Sequence, residues 1–419
     1  MKHKLIRALI FSLAALLCVS VSSQSQEKQK PRKFGWSLEL QIKENDRKKG
    51  AEENKGSNPA QPETRAVTEL EADTVRIETA LVVFDLLVLA QDKSPVTGLK
   101  KEDFEVFEEG SPQEIGTFAL GDGSTVPRSI ILIIDYSSSQ LAYINDSVEA
   151  AKVLVDKLKP RDRMAVITDN VSLLVPFTQD KMQLKKGLDS LKRASAGGNM
   201  GKSLQWSALL ATLQELASEE ERPIIVLQTD GDETINLKGI APETAPAKFR
   251  RNFGLEDISR EMEKSRATIY TIIPGLRLLN LPLEEQLKNM ELILRQESEA
   301  LAAARWLGGR SSQLGFPRKL SVEAYEWYLA QRLRQHSALT EISLQSGGWS
   351  AYLEKPAFAA DIYAQLFTSI EQRYILGYYP ANSTFDGKRR KVEFKIRNHP
   401  EYQILGRKAY YNLERRKSK

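Results

Sequence analysis

The stretch IILIIDYSSS, residues 130–139, decides the fold. Its five consecutive apolar residues are typical of a strand that is buried on both faces in a parallel sheet. An acid and alternating serines follow directly, so the strand ends in a polar loop. The stretch PIIVLQTDGD, residues 223–232, repeats this arrangement. The two stretches predict central strands of an α/β domain with acids at one edge of the sheet.

The surrounding pattern predicts a doubly wound α/β fold. Amphipathic helices are expected at 146–158, 181–191, 203–216 and 255–264, and further strands at 163–167, 171–177, 268–273 and 349–353. Such alternation gives a mostly parallel sheet flanked by helices. We place this domain at residues 128–380. Ligands in such folds bind at the carboxyl ends of the strands, where the two acidic loops are expected.

Residues 276–339 interrupt the alternation. They favour long helices at 284–306 and 322–335, before a further helix that ends at 345. A loop of this length without structure of its own is uncommon in a compact domain. We therefore predict a helical insertion within the α/β domain.

The segments 73–122 and 381–412 carry short strands with alternating apolar residues. Neither segment is convincing as an independent domain, because a few short strands are marginally stable alone. We predict that they pair into one small, sandwich-like β module beside the α/β domain. A helix at 358–372 and a strand at 374–379 would lead the chain back to this module.

Composition narrows the possible functions. The chain has 419 residues, 41% hydrophobic and 27% charged, with a formal charge of +5. Basic residues at the start and in the tail 413–419 account for the excess, so the charge gives no argument for nucleic-acid binding. The histidines, His3, His336 and His399, are far apart in sequence, which argues against a multi-histidine zinc site.

The N-terminus has the layout of a secretory signal peptide, which we place at residues 1–23. Cys18 is the single cysteine, so cleavage would leave a mature chain without disulfides. A lipid anchor at Cys18 and an uncleaved N-terminal anchor remain open alternatives. Residues 24–72 are polar and are expected to form a disordered linker, with a short ordered segment around 37–42 as an open alternative. No later stretch reaches the ~18 apolar residues of a membrane span, so the mature protein is expected in the periplasm, on the cell surface or secreted.

The polar loops carry the chemistry. Asp135, Ser137 and Ser139 offer a carboxylate and two alternate hydroxyls, and Asp230 follows the later strand. The loop GGNMGKS, residues 197–203, can supply another hydroxyl. Oxygen ligands of this kind suit a hard cation such as Mg²⁺ or Mn²⁺.

These three loops resemble the metal-ion-dependent adhesion site of the von Willebrand factor A domain. By position, Asp135, Ser137 and Ser139 match the first loop of that site, and Asp230 matches the third. The second loop normally carries threonine; Ser203 is the best match here, and Asn199 is the alternative. The resemblance implies a bound Mg²⁺, with Mn²⁺ or Ca²⁺ as alternatives.

The flanking segments resemble bacterial exported proteins with a VWFA-related domain, abundant in Acidobacteria. The resemblance lies in VTGLKKEDFEVFEEGSPQEI (96–115), QRYILGYYP (372–380) and RKAYY (407–411). It covers about residues 74–275 and 340–411, and the helical insertion lies outside it.

Enzyme classes find little support. A haloacid-dehalogenase-type phosphatase needs a second acid at the position that Ser137 occupies. A serine hydrolase needs a histidine that acts as a base, and neither His336 nor His399 lies in a sequence motif of that kind. The sequence GKS at 201–203 lacks the strand and first glycine of a phosphate-binding loop. Asp232 and Glu233 are expected to be solvated loop acids, and the alternative is that they support the metal ligands from outside the coordination shell.

The sequence therefore predicts an exported, metal-dependent protein-binding module that is not an enzyme. An Asp or Glu of an extracytoplasmic protein partner would complete the metal shell. The alternative is a structural or assembly subunit of a cell-envelope complex, in which the metal only stabilises the loops.

Overall fold

The computed structural model describes residues 33–38, 81–120, 128–217, 223–306 and 321–412. The predicted signal peptide, most of the predicted linker and the basic tail lie outside these ranges. Residues 33–38 correct the expectation of a disordered linker over 24–72, because they are ordered. Phe34 and Leu38 pack against the core of the α/β domain, and the N–H groups of Gly35 and Ser37 each donate to the Glu215 carboxylate at 2.9 Å. The helices and strands described below lie in one unit, Phe34–Lys419. None of the helices in the described ranges combines the length and apolar character that a membrane span requires.

Strands and helices are numbered in chain order. The strands are β1 (Val82–Leu89), β2 (Phe104–Glu108), β3 (Ser111–Gln113), β4 (Ile115–Leu120), β5 (Ser129–Ile134), β6 (Arg163–Thr168), β7 (Ser172–Thr178), β8 (Ile224–Gln228), β9 (Thr268–Pro274), β10 (Ser350–Leu353), β11 (Tyr374–Tyr378), β12 (Arg389–Ile396), β13 (Gln403–Leu405) and β14 (Ala409–Tyr411). The helices are α1 (Ile144–Asp156), α2 (Lys181–Ala196), α3 (Gln205–Glu215), α4 (Leu255–Ser265), α5 (Leu283–Trp306), α6 (Val322–Ser346) and α7 (Ala359–Glu371).

A six-stranded sheet forms the centre of the α/β domain, in the order β10-β9-β8-β5-β6-β7. Its strands run parallel except β7, which pairs antiparallel with β6 at one end of this order. The predicted doubly wound, mostly parallel α/β fold is confirmed.

Helices cover both faces of this sheet, and β5 explains why. Ile130, Leu132 and Ile134 pack with α1, α2 and α7, whereas Ile131 and Ile133 pack with α3, α4 and the C-terminal half of α6. Successive strand residues point to opposite faces, and all five side chains are fully buried. Burying each contributes about 1.5–3 kcal/mol, so an apolar residue is favoured at each of these five positions.

The N-terminal and C-terminal strands form a two-layer β sandwich. One sheet has the order β13-β1-β11-β4 and the other β14-β12-β2-β3. The strand β12 runs antiparallel to β2, with Val392 opposite Glu108 and Ile396 opposite Phe104. Phe84 and Phe394 meet edge to face between the layers, with ring centroids 5.0 Å apart. The predicted module built from both ends of the chain is confirmed.

The position of β11 corrects the predicted boundary at residue 380. This strand lies in the sandwich, between β1 and β4, with Val82 opposite Tyr378. Tyr374, Leu376 and Tyr378 face the sandwich core and are buried. Apolar residues at every second position fit a sheet that buries one face, unlike the continuous run in β5. The α/β domain therefore ends before Tyr374.

The helical insertion consists of α5 and residues 322–335 of α6. We expected a helix that ends at 335 and another that ends at 345, but α6 is one helix from Val322 to Ser346. Leu329 packs in a small separate cluster with α5, whereas Leu339 packs in the core of the α/β domain. The helix changes its buried partner halfway along, so it lacks a single apolar stripe that would reveal its continuity.

Candidate metal centre

Carboxylates from the loops after β5 and β8 meet at the carboxyl edge of the central sheet. One oxygen each of Asp135, Asp230 and Asp232 lie within 4.8 Å of one another. The strands are parallel neighbours, with Ile134 opposite Gln228, so both loops leave the sheet at the same edge. The Asp135 N–H donates to the Gln228 carbonyl at 2.9 Å, which ties the two loops together.

The first loop brings its predicted residues together. The Asp135 carboxylate accepts hydrogen bonds from the Ser137 N–H at 2.9 Å and the Thr229 hydroxyl at 2.6 Å. The hydroxyl oxygens of Ser137 and Ser139 lie 3.2 Å apart. The Ser139 side chain also contributes to lowering the pKa of Asp230. Two hydroxyls and two carboxylates therefore share this edge of the sheet.

In the second loop, Ser203 lies closer to the acids than Asn199. The Ser203 side chain contributes to lowering the pKa of Asp232, and the Ser203 N–H donates to Asp169 at 2.8 Å. Its backbone has φ +54°, a conformation that is uncommon for residues other than glycine and that concentrates at functional sites. Asn199 is exposed, and its N–H donates to the Ala194 carbonyl at 2.9 Å. Ser203 as a metal ligand remains a proposal.

Asp169 is an acid at this edge that the sequence analysis did not identify. It follows β6 directly and is fully buried, and it accepts N–H bonds from Tyr136 at 3.3 Å and from Ser203. A side chain at Gly201 would collide with the Asp169 carboxylate, so glycine is required there. The signal was present in the sequence, because an acid after a parallel strand next to β5 must lie at the same edge.

The expectation that Asp232 and Glu233 are solvated loop acids is wrong. Asp232 belongs to the acidic cluster and accepts a hydrogen bond from the Gln205 amide. Glu233 is fully buried and accepts from the N–H groups of Trp206 at 2.6 Å and Ser207 at 3.0 Å. These N–H groups belong to the first turn of α3. A carboxylate at this position accepts hydrogen bonds from N–H groups that lack a partner within the helix, and it interacts favourably with the positive end of the helix dipole.

The acidic cluster holds several carboxylates close together, and the positive groups around it do not balance their negative charge. Burial, followed by the carboxylates of Asp169, Asp232 and Asp230, raises the pKa of Asp135 well above its ordinary value. Burial and then Asp230 raise the pKa of Asp232 to about 7, and burial raises the pKa of Asp169 to about 6. Carboxylates with raised pKa values favour protonation or a bound cation.

Asp230 differs from its neighbours because Arg332 of α6 contacts it. Burial alone would raise its pKa, but the Arg332 guanidinium lowers the pKa of Asp230 below its ordinary value. Arg332 donates from Nη1 to Asp230 and from Nη2 to Glu297 of α5 at 2.6 Å. Burial raises the pKa of Glu297 to about 7, against the opposing effect of Arg332.

The donor atoms fit a hard divalent cation. Carboxylate and hydroxyl oxygens converge here, and the metal-ligand cluster found among the described residues contains neither histidine nor cysteine. His336 is buried nearby, but its Nδ1 lies 3.0 Å from the Tyr352 hydroxyl. The Gln205 side chain donates to Asp135 at 3.0 Å, while its buried carbonyl oxygen has no partner within the described part of the chain. Oxygen-only sites suit Mg²⁺, Mn²⁺ or Ca²⁺.

Comparisons with known proteins bear on the fold of this region. Residues 130–233 match the family model of the von Willebrand factor type A domain. Inter-alpha-trypsin inhibitor heavy chain H4 of Bos taurus is 29% identical over 145 residues, which are 32% of this chain and 15% of that protein. A UPF0353 protein of Mycolicibacterium paratuberculosis is 29% identical over 127 residues, 28% of this chain and 38% of that protein. The chain thus spans well under half the length of these curated relatives.

Among solved structures, a von Willebrand factor type A protein from Catenulispora acidiphila is 10% identical, with a TM-score of 0.34. The match covers 74% of this chain and 72% of that one.

The fold, the acidic edge and the matching family model together define the class. Within the α/β domain, residues 130–233 match the von Willebrand factor type A domain. Such domains are generally protein-interaction modules rather than enzymes. The further elements of the chain, the β sandwich and the helical insertion, lie outside the matched residues.

Proposed function

We propose that this protein is an exported, metal-dependent protein-binding module. The cation is held by Asp135, Ser137, Ser139, Ser203 and Asp230, some of them through water. The supporting observation is the convergence of three carboxylates within 4.8 Å. Burial and neighbouring carboxylates raise the pKa values of two of them, Asp135 and Asp232. A divalent cation offsets this charge, and Mg²⁺ is the first choice, with Mn²⁺ or Ca²⁺ as alternatives.

The partner is an extracytoplasmic protein that presents an Asp or Glu. A carboxylate that enters an open coordination position gains a charge-assisted contact in a partly dry site. The side chains named above leave room for such a ligand, because Mg²⁺ prefers six oxygens and commonly keeps several waters. Export rests on the signal-peptide layout of residues 1–23.

The alternative is an assembly subunit in which the metal only holds the loops together. Contacts of the helical insertion with these loops favour it: the Tyr143 hydroxyl, after the first loop, donates to Gln296 of α5 at 3.1 Å. In that case the sandwich or the insertion would bind the partner.

Calorimetry with Mg²⁺ and Mn²⁺ on residues 24–419 tests the metal site. We expect one site in the wild type and no binding in the Asp135→Asn, Asp230→Asn double variant, because both charges are lost while the side-chain volumes are kept. The exposed Asp361 on α7 provides the control, since Asp361→Asn removes one carboxylate away from the site. Equal heats in the wild type and the double variant would contradict the proposal.

Capture of partners from an envelope extract separates the two functions. The binding module predicts that the partner is released by EDTA and is not captured by folded Asp135→Asn protein. The assembly subunit predicts capture that is unchanged by this variant.

A further inference from the structure

The helical insertion approaches the acidic edge through one face of α6. Arg332, Gln335 and Leu339 recur at helical spacing on this face. The glycine that follows Asp230 packs against it: a side chain at Gly231 would lie 3.0 Å from Leu339 and 3.4 Å from the Gln335 carbonyl oxygen. Arg332 stands one turn nearer the N-terminus of α6, and this places its guanidinium at Asp230.

The ion pairs of Arg332 are buried. The side chains of Arg332, Asp230 and Glu297 are 13%, 4% and 6% exposed. Exposed ion pairs contribute little, but breaking one in a low-dielectric interior leaves an uncompensated charge. Arg332 is therefore fixed between α5 and the third loop by two carboxylates, one on each side.

The Arg332 guanidinium and a divalent cation would compete for the Asp230 carboxylate. It is the candidate ligand from the third loop, and Arg332 already supplies the positive charge that would otherwise come from the metal. A guanidinium fixed at this carboxylate also repels a second cation. The closed arrangement thus disfavours the metal-bound state.

We propose that the helical insertion is a built-in latch on the metal site, with Arg332 in the place of the cation at Asp230. This inference rests on the proposed function. Metal binding requires Arg332 to leave Asp230, and its departure loosens the contact between the insertion and the loops. The acid of a partner then reaches a metal that the closed latch would have excluded.

The latch predicts the effect of removing Arg332. If the site binds metal only while the latch is open, its apparent Kd equals the intrinsic Kd divided by the fraction of molecules in the open state. We expect Arg332→Gln to tighten the apparent Kd for Mn²⁺ by at least about tenfold. Arg332→Gln leaves the buried Glu297 carboxylate without its arginine partner. The Glu297→Gln, Arg332→Gln double variant, which removes this carboxylate as well, is therefore measured in the same experiment. Arg334→Gln on the same helix, at an exposed position, is the matched control and should bind as the wild type does.

Calorimetry with Mn²⁺ and hydrogen–deuterium exchange on the full mature chain provide the two readouts. Saturating Mn²⁺ should speed amide exchange in α5 of the wild type and leave β5 unchanged. Equal Kd values in the wild type and both Arg332 variants, or unchanged exchange in α5, would overturn the latch and leave the metal site standing. Absence of Mn²⁺ binding in all of these proteins would overturn the latch together with the proposed function.

Discussion

At the scale of single residues, Asp232 links the stability of the metal-free protein to pH. Burial and Asp230 raise its pKa from 3.8 to about 7 in the folded chain. Between these values the folded chain keeps a proton that the unfolded chain has lost. The contribution of Asp232 is therefore fully present below pH 3.8 and is lost as the pH rises through about 7. We expect Asp232→Asn, which cannot ionise, to gain stability relative to the wild type over this range.

Thermal unfolding in EDTA at pH 5 and pH 8 measures this gain. The melting temperature of Asp232→Asn relative to the wild type should increase by at least about 2 °C between the two pH values. The comparison cancels groups common to both proteins, such as buried His336, whose pKa is lowered to about 3 and whose contribution rises with pH. Saturating Mg²⁺ should shrink the difference at pH 8, because the cation offsets the carboxylate charge. A difference independent of pH would be inconsistent with a raised pKa at Asp232.

The residues at the acidic edge differ in how far the sequence reveals them. Asp135 and Asp230 each follow an apolar run, and parallel strands place them at one edge of the sheet. Glu233 could not be recognised, because the N–H donors that contact it lie on α3, 26 and 27 residues away in sequence. The polar composition of a loop can be read from the sequence, but the burial of its side chains depends on which distant element packs against the loop.

At the scale of elements, the two halves of α6 have different roles. Leu339 is fully buried in the core of the α/β domain, and Leu329 is buried against α5. We expect Leu339→Ala to lower the free energy of unfolding by about 2–5 kcal/mol, as is typical of a truncated core leucine. Leu329→Ala should lower it less and mainly loosen the insertion. The same substitution on one helix provides a matched pair.

Chemical denaturation and hydrogen exchange distinguish these effects. In Leu329→Ala, amides of α5 should exchange faster while those of β9 keep their protection, as expected when one unit opens by itself. If both variants lose the same stability and β9 is deprotected in both, the insertion is an integral part of the core.

Element boundaries were harder to predict than element types. The continuous apolar run predicted β5, and alternation predicted β12, because burial on two faces and on one face leave different patterns. The continuity of α6 and the sheet to which β11 belongs depend on which partner each element meets. Neither partner is adjacent in sequence, so local periodicity cannot supply this information.

At the scale of the whole molecule, the sandwich makes residues 81–120 depend on the C-terminal strands. Besides the pairing of β2 with β12, a buried polar group links the layers: Glu108 accepts from the hydroxyls of Tyr378 at 2.7 Å and Tyr410 at 2.9 Å. Arg390 of β12 pairs with the same carboxylate at 3.4 Å. Truncation after Pro380 removes Arg390 and Tyr410 and uncovers Phe84 and Val106.

We expect this truncated chain to be cleaved by protease within 81–120 while the α/β domain still binds Mn²⁺. The reason is that one layer loses its apolar cover and Glu108 loses its contacts with Arg390 and Tyr410, whereas the central sheet with α1 to α4 is unchanged. Truncation after Asn412 is the control, since it keeps every strand of the sandwich, and its 81–120 segment should resist cleavage. Mass spectrometry of the fragments locates the cuts. Persistent protection of 81–120 without residues 381–419 would mean that one layer is stable alone, and that the two ends of the chain pair without depending on each other.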